Sequence, residues 1–121
     1  MAVYSAPKVQ AFIAGGAVNQ YNIVKRGADD SHVVECTAAA DKSLGVAMSE
    51  SASGALVEVA VAGGGAKVKL GGTVAGGDLL TSTAAGLAVV AATTERVVGV
   101  AMQSGVSGDI IGIEVMISKL P

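Results

Sequence analysis

The chain has no tryptophan, one phenylalanine (Phe12) and two tyrosines (Tyr4 and Tyr21). Aromatic side chains bury the most area each and anchor most cores and ligand pockets. Their scarcity implies a core of small aliphatic groups and no stacking platform for sugars or bases. Cysteine is represented once, by Cys36, so an intrachain disulfide and a cysteine metal cluster are both excluded. No excess of one charge exists either: eight basic and ten acidic residues, scattered singly or in pairs, leave a net charge of −2. Without a basic stripe or interleaved aromatics, nucleic acid is not an expected partner. Long hydrophobic runs are missing too, because glycine, charged or hydroxyl residues interrupt each one well short of membrane-spanning length. The opening MAVYSAPKVQ lacks the apolar core of a signal peptide. A soluble product of a reducing cytoplasm is expected, with no membrane partner.

What the chain does contain is alanine, valine and glycine. Its 121 residues suit one domain, and 51% of them are hydrophobic. Small apolar groups gain little per residue on burial, and 17 glycines cost backbone entropy. A modestly stable protomer that gains from self-association is therefore expected.

The sequence is also written twice. GVAM stands at residues 45–48 and again at 99–102. At that spacing Ser53-Gly54 falls on Ser107-Gly108, and LVEVAV on IIGIEV. Upstream, with a shift of two, Val33-Val34 falls on Val89-Val90, Ile23-Val24 on Leu79-Leu80, and Gly15-Gly16 on Gly71-Gly72. The tandem copies cover about residues 12–62 and 68–117. Each consists of short, β-branched runs bounded by Gly, Asp and Ser clusters. These features give an all-β fold, a small sandwich or barrel of about ten short strands in two related halves. Residues 37–42, rich in alanine, are the one helical alternative. Residues 1–11 are expected to form an extended arm before a single β domain over 12–121.

Motifs for chemistry are few. The segment VAVAGGGAKVKLGG invites a phosphate-loop reading, but Lys67 follows an alanine, Val68 stands where a hydroxyl is required, and no helix follows. It reads as a linker turn between the two copies. His32 and Cys36, four apart in an extended run, would lie about 13 Å apart on one side, too far for proton transfer. They read as a surface histidine and a half-buried cysteine. Ser53 and Ser107 belong to hairpin turns, not to a nucleophile elbow. One histidine, one cysteine and separated carboxylates supply no metal-ligand set. No catalytic, cofactor-binding or metal-binding residue is assigned, and the chain is expected not to be an enzyme. Asp41-Lys42-Ser43 resembles the Asp-Lys-Ala/Ser turn of lipoyl and biotinyl carrier domains, which would make Lys42 an attachment site. The ordinary reading, a solvated turn lysine, is favoured.

The complete layout, AGGAVNQYNIV, VVECTAAADKSLGVAM, ALVEVAV, VKLGGTVAGGDLLT, GLAVVAATTERVVGVAM and SGDIIGIEVMI, resembles the capsid decoration (cement) proteins of tailed bacteriophages. The resemblance runs from Phe12 to the end and rests on turn residues. It departs at Gln20-Tyr21-Asn22, where a Gly-Asp turn is usual. The resemblance implies a virion protein, made in the host cytoplasm, on the exterior of an icosahedral head. It would be a homo-oligomer, a trimer by expectation, bridging subunits of the major capsid protein without a cofactor. The arm, with Val3, Tyr4 and the extended step at Pro7, is the candidate capsid contact.

Overall fold

A computed structural model describes residues 7–92 and 95–119. Among them lie ten strands: β1 (Lys8–Ala14), β2 (Ile23–Arg26), β3 (His32–Glu35), β4 (Ser43–Ala47), β5 (Leu56–Val61), β6 (Gly65–Lys69), β7 (Leu79–Ser82), β8 (Ala88–Val90), β9 (Arg96–Ala101) and β10 (Ile110–Lys119). The all-β expectation holds. Residues 37–42 form a turn and not a helix. Lys8 to Ala11, assigned from sequence to the arm, are already paired with β5, Lys8 opposite Val61. The body therefore begins earlier than residue 12.

The first five strands close into a barrel in the order β1-β3-β2-β4-β5, with β1 also paired to β5. The last five form a five-stranded sheet, β6-β10-β9-β7-β8, the same order round with each strand replaced by its counterpart; its edge strands meet only at the Leu70–Ala88 bridge, and it is called the second barrel below. Register agrees residue for residue. Phe12 faces Val57 as Val68 faces Ile111, and Val24 faces Gly45 as Leu80 faces Gly99. One part of the sequence alignment is corrected. Pairing places Val33 with Ala88 and Val34 with Val89, because Arg26 faces Val33 where Ser82 faces Ala88. Val33 and Ala88 are both fully buried, whereas Val34 and Val89 are half exposed. The length difference between the copies is thus split between two connections, β2 to β3 and β3 to β4.

The repeated GVAM has a steric cause. A Cβ on Gly99 would lie 2.5 Å from the Glu114 carbonyl oxygen, and one on Gly45 would overlap that of Ala60. Only glycine lets β4 and β9 approach their neighbours. The turns repeat as well. Gly54, Gly77 and Gly108 all have positive φ, and the fourth equivalent position is Tyr21 at φ 73°. The sequence departure at Gln20-Tyr21-Asn22 therefore keeps the turn and places a tyrosine in the left-handed region, at a cost of about 1–2 kcal/mol.

Each barrel encloses eight matching side chains. In the first they are Phe12, Ala14, Val18, Val24, Val33, Ala47, Val57 and Val59. Their counterparts Val68, Leu70, Val74, Leu80, Ala88, Ala101, Ile111 and Ile113 are all buried in the second. One phenyl group in the first barrel is balanced by larger aliphatics at four positions in the second, and the two sets hold the same number of side-chain carbons. Core volume is conserved while its distribution changes, the kind of exchange that close-packed interiors tolerate. A further set, with Ile23, Cys36, Val46 and Ala60 from the first half and Ala66, Val98 and Val115 from the second, extends the second barrel's core cluster. It joins the halves.

The second barrel does not close by itself. In the first, Ile13 N donates to Ser31 O and Gly15 N to Val33 O across the β1–β3 seam. In the second, Gly71 N still donates to Ala88 O, but the other link is replaced. Lys69 N donates to Tyr21 O at 3.1 Å, Ile23 N donates to Gly86 O at 2.8 Å, and Asn22 Nδ2 donates to Ala85 O. Three residues of the first half are wedged into the seam of the second.

Two outcomes follow for stability. Phe12→Val is expected to cost about 2–3 kcal/mol in chemical denaturation, and Ala14→Leu added to it should recover at least half of the loss. Residues 63–121 produced alone should lack a cooperative unfolding transition and acquire one on mixing with residues 1–62. Circular dichroism melts of the separate and mixed fragments read this directly.

Candidate functional site

The groups best suited to catalysis do not assemble. His32 Nδ1 lies 2.7 Å from Asp29 Oδ1, and Ser31 Oγ donates to the same carboxylate oxygen at 2.9 Å. Serine, histidine and aspartate are thus together, but in one short turn and in the wrong order. A relay needs the imidazole between acid and nucleophile, with its two nitrogens serving opposite partners. Here the Asp29 carboxylate accepts the hydrogen bonds of both. The hydrogen bond with His32, then those from Ser31, hold its carboxyl down to about 2. Cys36, expected half-buried, is 1% exposed in the layer between the halves. Burial pushes its thiol up to about 12. His32 remains half-exposed on β3. No group of three or more His, Cys, Asp or Glu able to hold a metal occurs among the described residues. No helix among them is long and apolar enough to cross a membrane.

The glycine triplet is a connection, as its spacing implied. Gly63 has φ 104°, Gly63 N donates to Val115 O, and Val115 N donates to Gly64 O. The Gly63 amide and the Gly64 carbonyl are thus spent on β10, and β6 begins at Gly65, opposite Glu114.

Asp41 and Lys42 have different lives. Burial pushes the Asp41 carboxyl up, but the Thr37 amide, the Lys25 ammonium and the Ala38 amide together hold it below its ordinary value. The contacts are 2.8 Å from Thr37 N, 3.1 Å from Ala38 N and 3.0 Å from Lys25 Nζ. Asp41 therefore organises the turn. Lys42 is exposed at its end, and the strands that the turn connects, β3 and β4, are separated in the sheet by β2.

Shallow clefts open at three places among the described residues. One of about 350 Å3 is lined by Lys25, Arg26, Lys42, Ser43 and Leu44 between β2 and β4. A second, about 170 Å3, follows the junction of the halves at Gln20, Tyr21, Met48, Ala66 and Lys67. The third, about 430 Å3, lies at the end of the second half between the 73–75 and 104–106 turns, where Val106 is 55% exposed. Leu56 and its counterpart Ile110 are also exposed, at the starts of β5 and β10. Of the residues proposed from sequence to contact a capsid, Pro7 is half-buried just before β1. Val3 and Tyr4 lie outside the described residues. The basic cleft was not legible in sequence, since Lys25-Arg26 and Lys42 meet only through the β2–β4 pairing.

No family model matches the chain, and no curated protein does. Among solved structures, the fold is similar to that of the head fiber gp8.5 N base in bacteriophage phi29. The TM-score is 0.71 at 21% identity, over 96% of this chain and 99% of that one.

Burial of Cys36 makes a chemical prediction. A thiol-reactive dye at neutral pH should label the folded chain far more slowly than the chain in denaturant, because reaction needs both the thiolate and an opening of the inter-half layer.

Proposed function

We propose that this chain is a non-enzymatic structural protein of a phage head, a decoration protein that binds the capsid exterior and bridges subunits of the major capsid protein. The observation that carries the reading is the match, over nearly the whole of both chains, to the base of a head fiber. The match takes in both halves of this chain together. The layout of turn residues from Phe12 onward is a second support, read from the sequence alone.

The physics suits this task. A bridging protein needs a rigid body with surface features that grip, and no reactive group. The barrels provide rigidity by tying nearly all strand edges into ladders. Grip comes from the clefts, from exposed apolar residues such as Leu56 and Val106, and from the arm with Val3, Tyr4 and Pro7. Assembly as a homotrimer on the head would let weak contacts to several subunits act together. The arm would lie along the capsid.

Purified protein added to undecorated, expanded heads of the phage that encodes it should cosediment saturably and raise the temperature at which the heads rupture. Removal of residues 2–6, which spares β1, should weaken that binding at least about tenfold and leave the melting temperature of the free protein unchanged. Failure of the intact chain to bind heads at physiological salt would overturn the reading.

A further inference from the structure

Duplication supplies an internal control for one of the clefts. In the second half, the strip between β7 and β9 is occupied. The carbonyl of Ala39, on the 37–41 turn of the first half, accepts from Thr81 Oγ1 at 3.3 Å and from Arg96 N at 3.0 Å. Thr81 and Ser82 are 2% and 5% exposed beneath this contact, and Val98 is 1% exposed. This strip of the fold is therefore able to seat a β-turn from another barrel.

The matching strip of the first half is the basic cleft. Register places Lys25 at the position of Thr81, Arg26 at that of Ser82, Lys42 at that of Arg96 and Leu44 at that of Val98. It is open, a cleft of about 350 Å3 over a half-buried leucine. The two hydroxyls, Thr81 and Ser82, are exchanged for the cations Lys25 and Arg26, while the cation and the aliphatic keep their character, Arg96 as Lys42 and Val98 as Leu44. Asp41 Oδ2 pairs with Lys25 and also accepts from the Thr37 and Ala38 amides, and among the described residues it makes no ion pair with Arg26 or Lys42. Arg26 spends one donor on the Asp30 carbonyl, a neutral partner, and keeps its charge. Lys42 is exposed and has no partner among the described residues.

We propose that this cleft is a docking site for an acidic turn of a partner protein, with the turn's backbone over Leu44 and its carboxylates on Arg26 and Lys42. The site deepens the proposed function and rests on it only for the identity of the partner, an acidic loop of a capsid subunit. A polypeptide fits better than nucleic acid. The strip already receives a polypeptide turn in the other half, and three cations without an aromatic neighbour make neither a phosphate track nor a stacking surface.

The test uses the full chain, isotopically labelled, titrated with a cyclic glutamate-rich turn peptide, its glutamine counterpart and a short oligothymidylate. The glutamate peptide should shift the amides of Lys25, Arg26, Lys42 and Leu44, and bind about tenfold more weakly when salt rises from about 20 to about 150 mM. Arg26→Glu combined with Lys42→Glu should abolish those shifts, whereas Lys69→Glu, on the second half, should not. Equal shifts with the glutamine peptide, tighter binding of the oligonucleotide, or shifts centred elsewhere would each overturn the proposal. Head binding separates it from the broader reading. If the peptide docks but heads are not bound, the capsid reading fails and the cleft stands. If the double variant binds heads as well as the parent does, the cleft is overturned and the capsid reading stands.

Discussion

Closure of the second barrel depends on three residues of the first. Lys69 N and Gly86 O occupy the positions that in the first barrel bond directly as Ile13 N and Ser31 O, yet they bond to Tyr21 O and Ile23 N. An unpaired buried backbone group costs about as much as a lost hydrogen bond or more, so the seam cannot stand open. The wedge satisfies it and carries Ile23 into the layer where Cys36, Val46 and Ala60 meet Ala66, Val98 and Val115. Folding of one half is thereby made conditional on the other. Two small barrels, each too poor in large side chains for much stability alone, become one cooperative body.

The same contact is asymmetric between the two halves. Its counterpart would wedge residues of a second half into the seam of a first, but that seam is closed by the parallel pairing of Ile13 with His32 and Ala14 with Val33. Contact between the halves is therefore one-directional. The left-handed Tyr21 belongs to this arrangement. Its amide donates to Ala47 O as that of Gly77 does to Ala101 O, while its carbonyl has the additional task of meeting Lys69. Its side chain lines the groove at the junction, where glycine would leave space.

Divergence between the copies shows where each surface is used. Positions inside the barrels exchange volume but stay apolar. On the β2–β4 and β7–β9 strips two positions change character, Lys25 and Arg26 where the strip is open against Thr81 and Ser82 where it is covered, while Lys42 and Arg96 are both cations. Hydroxyls suit the two covered positions, because desolvating a cation without a partner is costly. An open strip carries charge at little cost. The fold, similar to that of a phage head-fiber base, thus covers one strip with its own chain and leaves the twin strip open.

Much of the body was legible in the sequence because strand and turn signals are local. Alternating valines, the recurrent GVAM and the Ser-Gly turns gave the strand number, the duplication and the linker role of Gly63 to Gly65. The residues needed for those inferences are neighbours along the chain. The one-residue error at Val33-Val34 arose where the signal is weakest, since two adjacent valines look alike until one is known to face inward. Only the tertiary structure decided which backbone groups close the second barrel, which face of each half is covered, and that Lys25, Arg26 and Lys42 share a cleft. Those facts depend on pairings between residues far apart in sequence, and on whether a given donor meets its own half or the other. Local composition fixes what each strand is able to bury, while the partner it finds is set by the packing of the two barrels together.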